Sequence, residues 1–266
     1  MIGSKFTPSE ELNKLGFRLA LFHTWPLEKA VKTLAEMGYK SLELCLEHPE
    51  LSPDKLTEKE ISRIKKIIED GGLRVSSVSY FSSGDDVSVA LEEQKGGVEL
   101  ARELDCRILV VGTLPEAADP DGKKTYRALE ELLRLAEEKG VTIAVEPEPE
   151  TVINGLFEFS VLASRVAGSP LGLSLNIGHV ALTEGDVAAA IEEWAPFIMN
   201  AHISDVRRHE HVHLLPGDGH LDIYKMVMTL RENDFSGDLI IDLSQTQEAP
   251  DQLAQIAMER CREMFS

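Results

Sequence analysis

Cysteine is scarce in this chain. Three in 266 residues, Cys45, Cys106 and Cys261, are odd in number and too scattered for a disulfide framework or a paired-cysteine metal site. A reducing, cytoplasmic setting is the expectation. Long apolar runs are missing too: no segment approaches the roughly 18 apolar residues of a spanning helix, and the opening MIGSKFTPSEELNKLGF has no apolar core of signal-peptide length. Neither export nor membrane insertion is expected. Basic residues are outnumbered, 27 Lys and Arg against 46 Asp and Glu, giving a formal charge of -19. Phosphate backbones and anionic lipid surfaces are gripped by clustered Lys and Arg, so neither nucleic acid nor membrane is an expected partner.

What is present is a recurring unit. Residues 1–15 read as a polar lead-in, and from Phe17 a short apolar strand, a loop and an amphipathic helix closing near glycine follow one another repeatedly. FRLAL precedes a helix with Leu27, Ala30, Val31, Leu34 and Ala35 at helical spacing, stopped at Gly38. KSLELCL precedes a helix with Ile61, Ile64 and Ile68 on one face, stopped at Gly71-Gly72. RVSSVSY, RILVVG, VTIAVE, LGLSLN, residues 197–203 and DLIIDL supply six further strands. Between and after them lie a helix near 87–104, one after the turn-rich ADPDGKK with Leu129, Leu132, Leu133 and Ala136 that ends at Gly140, one near 154–167, one carrying Val187, Ile191 and Trp194, and helices at 220–233 and 250–264. Eight alternations with no composition break predict one (β/α)8 barrel domain over residues 1–266. An open doubly wound sheet is the alternative, but it normally carries a glycine-rich phosphate loop after its first strand, and LFHTWP is not one.

Strand parity adds side-chain direction. In VTIAVE the bulky Val141, Ile143 and Val145 share the face that packs under helices, which turns Thr142, Ala144 and Glu146 inward. The same count turns Gly172, Ser174 and Asn176 inward, then Ile198, Asn200 and His202, then Ile240 and Asp242, and on the second strand Ser41 and Glu43. Glu146, Asn176, His202 and Asp242 therefore converge at the carboxyl ends of four strands, the end where barrel enzymes build their sites. Few inward cations are in view to pair them, and unpaired buried charge is costly.

Histidine is concentrated as well. Five of eight, His202, His209, His211, His213 and His220, lie between residues 197 and 222. His202 ends a strand and suits a metal or polyol site, with a core histidine bonded to backbone as the alternative; for His209, His211 and His213 the stronger reading is an alternating, charged loop that is simply solvated. A divalent cation explains the convergent set. Carboxylate oxygens of Glu146 and Asp242, the amide oxygen of Asn176 and a ring nitrogen of His202 make a mixed O/N shell suited to Mn²⁺, Mg²⁺, Co²⁺ or Zn²⁺.

Five segments in this order, EPEPE at 146–150, NIGHV at 176–180, AHISD at 201–205, LPGDG at 215–219 and IIDL at 240–243, together with GYKSLEL at 38–44, resemble the sugar phosphate isomerase/epimerase family of xylose isomerase-like barrels. The likeness runs from Phe17 onward. It implies a metal held by Glu146, Asn176, His202 and Asp242, with His179 contacting substrate. It also implies proton transfer next to a carbonyl through an ene-diolate: Glu146 removes the proton, Asp242 returns it, and His179 orients a hydroxyl. Two positions depart from the family pattern, Asn176 where Asp is usual and Asp242 where Glu is usual, the second setting its carboxylate roughly 1.5 Å farther back.

Glu43 and His23 are further candidates to close the pocket, against readings as a rim glutamate and a packed histidine. His213 and Arg207, after the seventh strand, are candidate contacts for substrate oxygens or a phosphate, and PGDG reads as a plain turn. The expected function is a metal-dependent isomerase or epimerase of a small sugar, sugar phosphate or polyol, with self-association left open. A dehydratase or lyase of the same superfamily begins with the same proton abstraction, and a non-catalytic ligand-binding barrel is the alternative of another class. Barrels that cut DNA at abasic sites carry histidines at the third and fourth strand ends, where Ser79-Tyr80 and Gly112-Thr113 stand here.

Overall fold

In a computed structural model that describes residues 7–81, 84–208, 210–243 and 249–266, eight parallel strands close into a barrel. Around it run β1 (Leu15–Arg18), β2 (Ser41–Cys45), β3 (Arg74–Tyr80), β4 (Ile108–Val111), β5 (Thr142–Val145), β6 (Leu171–Asn176), β7 (Ile198–Ile203) and β10 (Leu239–Ile241). The last pairs with the first, Leu15 opposite Leu239 and Phe17 opposite Ile241, so the sheet has no edge and the open doubly wound alternative is excluded. The fold is a (β/α)8 TIM barrel.

The outer layer is α1 (Leu27–Met37), α2 (Glu58–Gly71), α3 (Val87–Glu103), α4 (Lys123–Lys139), α5 (Leu156–Arg165), α6 (Ile177–Thr183), α7 (Val187–Trp194), α8 (Ile223–Glu232) and α9 (Pro250–Met264). Helical apolar spacing does what it predicts: Ala30, Val31 and Leu34 of α1 and Leu129, Leu132, Leu133 and Ala136 of α4 are buried in one core with Phe17, Leu42, Ile143 and Val145 from the outward strand faces. Each fully buried leucine or isoleucine contributes about 1.5–3 kcal/mol by leaving water. Gly38, Gly72 and Gly140 end α1, α2 and α4 in the left-handed region, at φ 102°, 66° and 66°.

Four local features differ from the expectations. β1 begins at Leu15 and stops at Arg18, where the chain turns into a 3-10 helix, Leu19–Phe22, instead of continuing through FRLAL. The lead-in is not merely polar: Pro8–Lys14 form a 3-10 helix whose Glu11 is buried against Arg231. A short helix, α6, precedes α7 between β6 and β7. Residues after β7 form a hairpin, β8 (Asp205–Arg207) with antiparallel β9 (Glu210–Leu214), in place of a plain loop; the candidate His209 lies outside the described residues. Among the described residues no helix is long and apolar enough to cross a membrane.

Candidate functional site

Strand register sets the levels at the barrel mouth. Arg18 of β1 lies beside Glu43 of β2, Glu43 beside Ser77 of β3, and Asn176 of β6 beside His202 of β7. Glu146 and Asp242 each stand one residue beyond β5 and β10. All of these side chains are buried, and they meet. Interior space lower in the barrel is too small for more: a Cβ at Gly16 would lie 2.5 Å from Ile240 Cδ1 and closer still to Ser41 Oγ.

His202 is the hub. Its Nδ1 is 2.7 Å from Glu146 Oε2 and its Nε2 is 2.9 Å from Glu43 Oε2. Burial opposes a charge on this imidazole, but two flanking carboxylates outweigh it and hold the pKa well above the ordinary value. The same pairing works on the partner: burial resists ionisation of Glu146, yet His202 and His179 bring its pKa to about 2. Glu146 is held further by Ser174 Oγ, which donates at 2.7 Å, and by Asn176 Nδ2, which donates at 3.1 Å. Ser77 Oγ donates to Glu43 at 2.7 Å, and Asn200 bridges Glu43 and Ser174.

Asn176 faces two ways. Its Oδ1 accepts from the backbone N–H groups of Gly178 and His179 at 3.0 and 3.3 Å, capping α6, so its amide nitrogen is the part turned toward Glu146. Asp242 lies between Arg18 Nη1, at 3.3 and 3.4 Å, and His213 Nδ1, at 3.0 Å. Although burial opposes its charge, those two neighbours keep its pKa well below the carboxylate range.

A second cluster adjoins the first. His179, at the start of α6, faces His213 and His211 of β9, with Nε2 to Nε2 distances of 3.1 and 3.0 Å. His179 Nδ1 is 3.2 Å from the Pro147 carbonyl. Burial, then His213 and His211, push its pKa down to about 3. Glu148, 3.9 Å from His211, is driven the other way: burial and the Glu146 charge raise its carboxyl to about 7.

Among the described residues two groups of donors could hold a cation. Ligand atoms of Glu146, His202 and Asp242 lie within 4.8 Å of one another, as do those of His179, His211 and His213. The carboxylate-rich first set suits a hard or borderline ion, the all-imidazole second set a borderline one. The first also fits by a mark left in the protein: buried His202 Nδ1, 2.7 Å from Glu146, makes no aligned hydrogen bond there. Thiol chemistry has no place here, since burial pushes Cys45 and Cys261 up to about 12.

The structure gathers Glu43, Glu146, Asn176, His179, His202, His213 and Asp242 in this region. It does not bring in the other two candidates. Arg207 is 62% exposed on β8 and pairs with Glu210 at 3.6 Å. His23 follows the 3-10 helix after β1, where its Nδ1 meets the Ala20 carbonyl at 3.2 Å. Sequence reasoning missed Arg18, His211 and Glu148, and the expectation of few inward cations is corrected by Arg18. Parity held the signal for Arg18, because Leu15 and Phe17 face the helices and Gly16 and Arg18 therefore face in.

These observations meet a consistent pattern of relatives. Over 254 residues the chain is 22% identical to the inosose dehydratase of Clostridium beijerinckii, covering 82% of each chain. The D-psicose 3-epimerase of Clostridium cellulolyticum H10, solved with D-tagatose, superposes with a TM-score of 0.73 at 16% identity, over 95% of this chain and 99% of that one. The IolI protein, solved with a zinc atom, superposes with a TM-score of 0.76 at 18% identity, over 95% and 98%. Residues 31–264 match the family model for these barrels, and the chain belongs to the xylose isomerase-like TIM barrel family.

Proposed function

We propose that this protein is a divalent-metal-dependent isomerase or epimerase of a small keto-sugar or polyol, acting by proton transfer next to a carbonyl. The observation that carries the proposal is the meeting of Glu146, His202 and Asp242 donor atoms within 4.8 Å at the mouth of the barrel. These three would hold the ion, with Asn176 fixing Glu146 from the side. When bound, the ion would supply a positive charge against the oxyanion of an ene-diolate.

Glu146 takes the carbon-bound proton. It is ionised at neutral pH, and its low proton affinity reflects the imidazolium 2.7 Å away; neutral His202, the form that can ligate, leaves it a stronger base. Asp242, fixed by Arg18 and His213 and ionised at rest, would relay to the ene-diolate a proton drawn from solvent, while the proton taken by Glu146 passes back to solvent. His179, anchored through Nδ1 to Pro147, orients a substrate hydroxyl. A neutral sugar suits the site better than a phosphorylated one, because Arg18 is occupied by carboxylates and the chain carries -19 overall. A cytoplasmic setting belongs to the same proposal, supported by three free cysteines.

Glu148 favours a second reading, a dehydratase. A carboxyl with a pKa of about 7, two residues beyond the proposed base, is partly protonated at neutral pH and can give that proton to a departing hydroxyl. One experiment separates the two. A keto-sugar panel is incubated in deuterated solvent with Mn²⁺ and followed by NMR and mass spectrometry. Deuterium entering next to the carbonyl without loss of water supports the isomerase, and a product lighter by one water supports the dehydratase. Glu146→Gln should lose at least about 10²-fold of either activity; undiminished exchange in that variant would remove Glu146 from the role of base.

A further inference from the structure

Three carboxylates point into one small volume at the barrel mouth, Glu43, Glu146 and Asp242, each 0 or 1% exposed. A buried cation from an otherwise apolar strand answers them. Arg18 places Nε 3.1 Å from Glu43 Oε1 and Nη1 3.3 Å from Asp242 Oδ1, and its guanidinium carbon lies 4.2 Å from the centre of the Phe81 ring. The contact to Glu43 is charge against charge more than a formed hydrogen bond, since neither Arg18 Nε nor Glu43 Oε1 has an aligned partner. A guanidinium keeps its proton at any working pH, so this charge is permanent.

Resting on the metal reading above, we propose that Arg18 is a built-in counter-cation: it shares the inward carboxylates with the divalent ion, limits how tightly that ion is held, and keeps the ionic cluster assembled without it. Arg18 is here a positioning residue for Asp242 and a competitor for its charge. Those two effects have opposite signs. A residue that only braced Asp242 would, on removal, loosen the ligand and weaken cation binding. A competing charge would, on removal, strengthen it, because a unit positive charge within contact distance of two of the carboxylates repels any cation seated among them.

The test is Mn²⁺ titration of the metal-stripped full chain by calorimetry. Arg18→Met should bind Mn²⁺ about tenfold tighter or more, the scale of one unit charge at contact distance in a partly screened site. Arg18→Lys keeps the charge and should stay within a few-fold of wild type. Glu43→Gln should bind more weakly, and the Arg18→Met, Glu43→Gln double variant should return toward wild type. Unchanged or weaker binding in Arg18→Met overturns the inference while leaving the metal reading in place. If Arg18→Met does not fold alone, the double variant should still bind tighter than Glu43→Gln, and equal affinities would overturn the inference. Failure of every protein, wild type included, to take up Mn²⁺ would overturn the metal reading and this inference with it. Thermal midpoints give a readout free of binding: in chelator Arg18→Met should melt below wild type and recover on adding Mn²⁺, whereas Arg18→Lys should show little of either effect.

Discussion

His179 and Glu148 face the same cluster, yet the same surroundings shift their titrations in opposite directions. Burial makes each favour its neutral form, so His179 falls from 6.5 to about 3 and Glu148 rises from 4.5 to about 7. Between about pH 6.5 and 4.5 the unfolded chain holds a proton on His179 that the folded protein lacks, so this residue makes stability fall as pH falls. Over the same range folded Glu148 holds a proton that the unfolded chain has lost, so it makes stability rise as pH falls. The two oppose each other in the metal-stripped protein. Removing one should expose the other: in Glu148→Gln the thermal midpoint should drop as pH goes from 6.5 to 4.5, more steeply than in wild type, and in His179→Asn the slope should shift the opposite way. Scanning calorimetry in chelator reads both, and slopes unchanged from wild type in the two variants would show that these groups titrate alike folded and unfolded.

Among the elements, the segment after β7 shows what the sequence conceals. LPGDG reads as a plain turn, but Asp205 at the start of β8 holds it from beneath. Its Oδ1 accepts from Val206 and Leu221 N–H at 2.9 and 3.0 Å, and its Oδ2 from Gly217 and Gly219 at 3.1 and 2.9 Å. Gly219 has no room for a side chain, since a Cβ would collide with the Asp205 carboxylate and the Val206 carbonyl. Asp205→Ala should therefore cost about 2–4 kcal/mol, because several donors lose a charged acceptor at once. Hydrogen exchange should show the amides of 217–221 opening first, and unaltered protection there would mean that the turn holds itself.

Periodicity made the barrel legible: helical spacing in α1, α2 and α4 with a glycine after each, and alternation in β5 and β6, are local signals. Parity likewise brought Glu146, His202, Asp242 and Glu43 to one end. What escaped depends on partners remote in the chain. Arg18 gains its meaning from Glu43 and from Asp242, which is 224 residues away, and His211 reads as solvated until β9 folds back onto α6. Asn176 supplies oxygen or nitrogen to the site according to which neighbour claims its carbonyl, and α6 claims it.

At the scale of the whole molecule the two ends of the barrel divide the work. The carboxyl ends of the strands gather mutually repelling acids around His202, a costly arrangement that the rest of the fold must support. At the other end Glu11, from the 3-10 helix before β1, accepts from Arg231 Nε and Nη2 at 2.9 and 2.7 Å, while Arg231 Nη1 donates to the Phe235 and Gly237 carbonyls at 2.7 and 2.9 Å. Both side chains are buried, so removing one strands the other: Arg231→Met should cost about 3–5 kcal/mol and lower the thermal midpoint by roughly 10 °C in a chain of this size. Replacing both, as Glu11→Leu with Arg231→Met, should recover much of that loss, because the desolvation cost of the pair disappears with it. Neither change should alter Mn²⁺ affinity, since the pair braces the end of the barrel opposite the donor cluster. A shift in Mn²⁺ affinity as large as that expected for Arg18→Met would mean that the closed sheet transmits strain from one end to the other, and that the stability of the base helps to set the chemistry of the mouth.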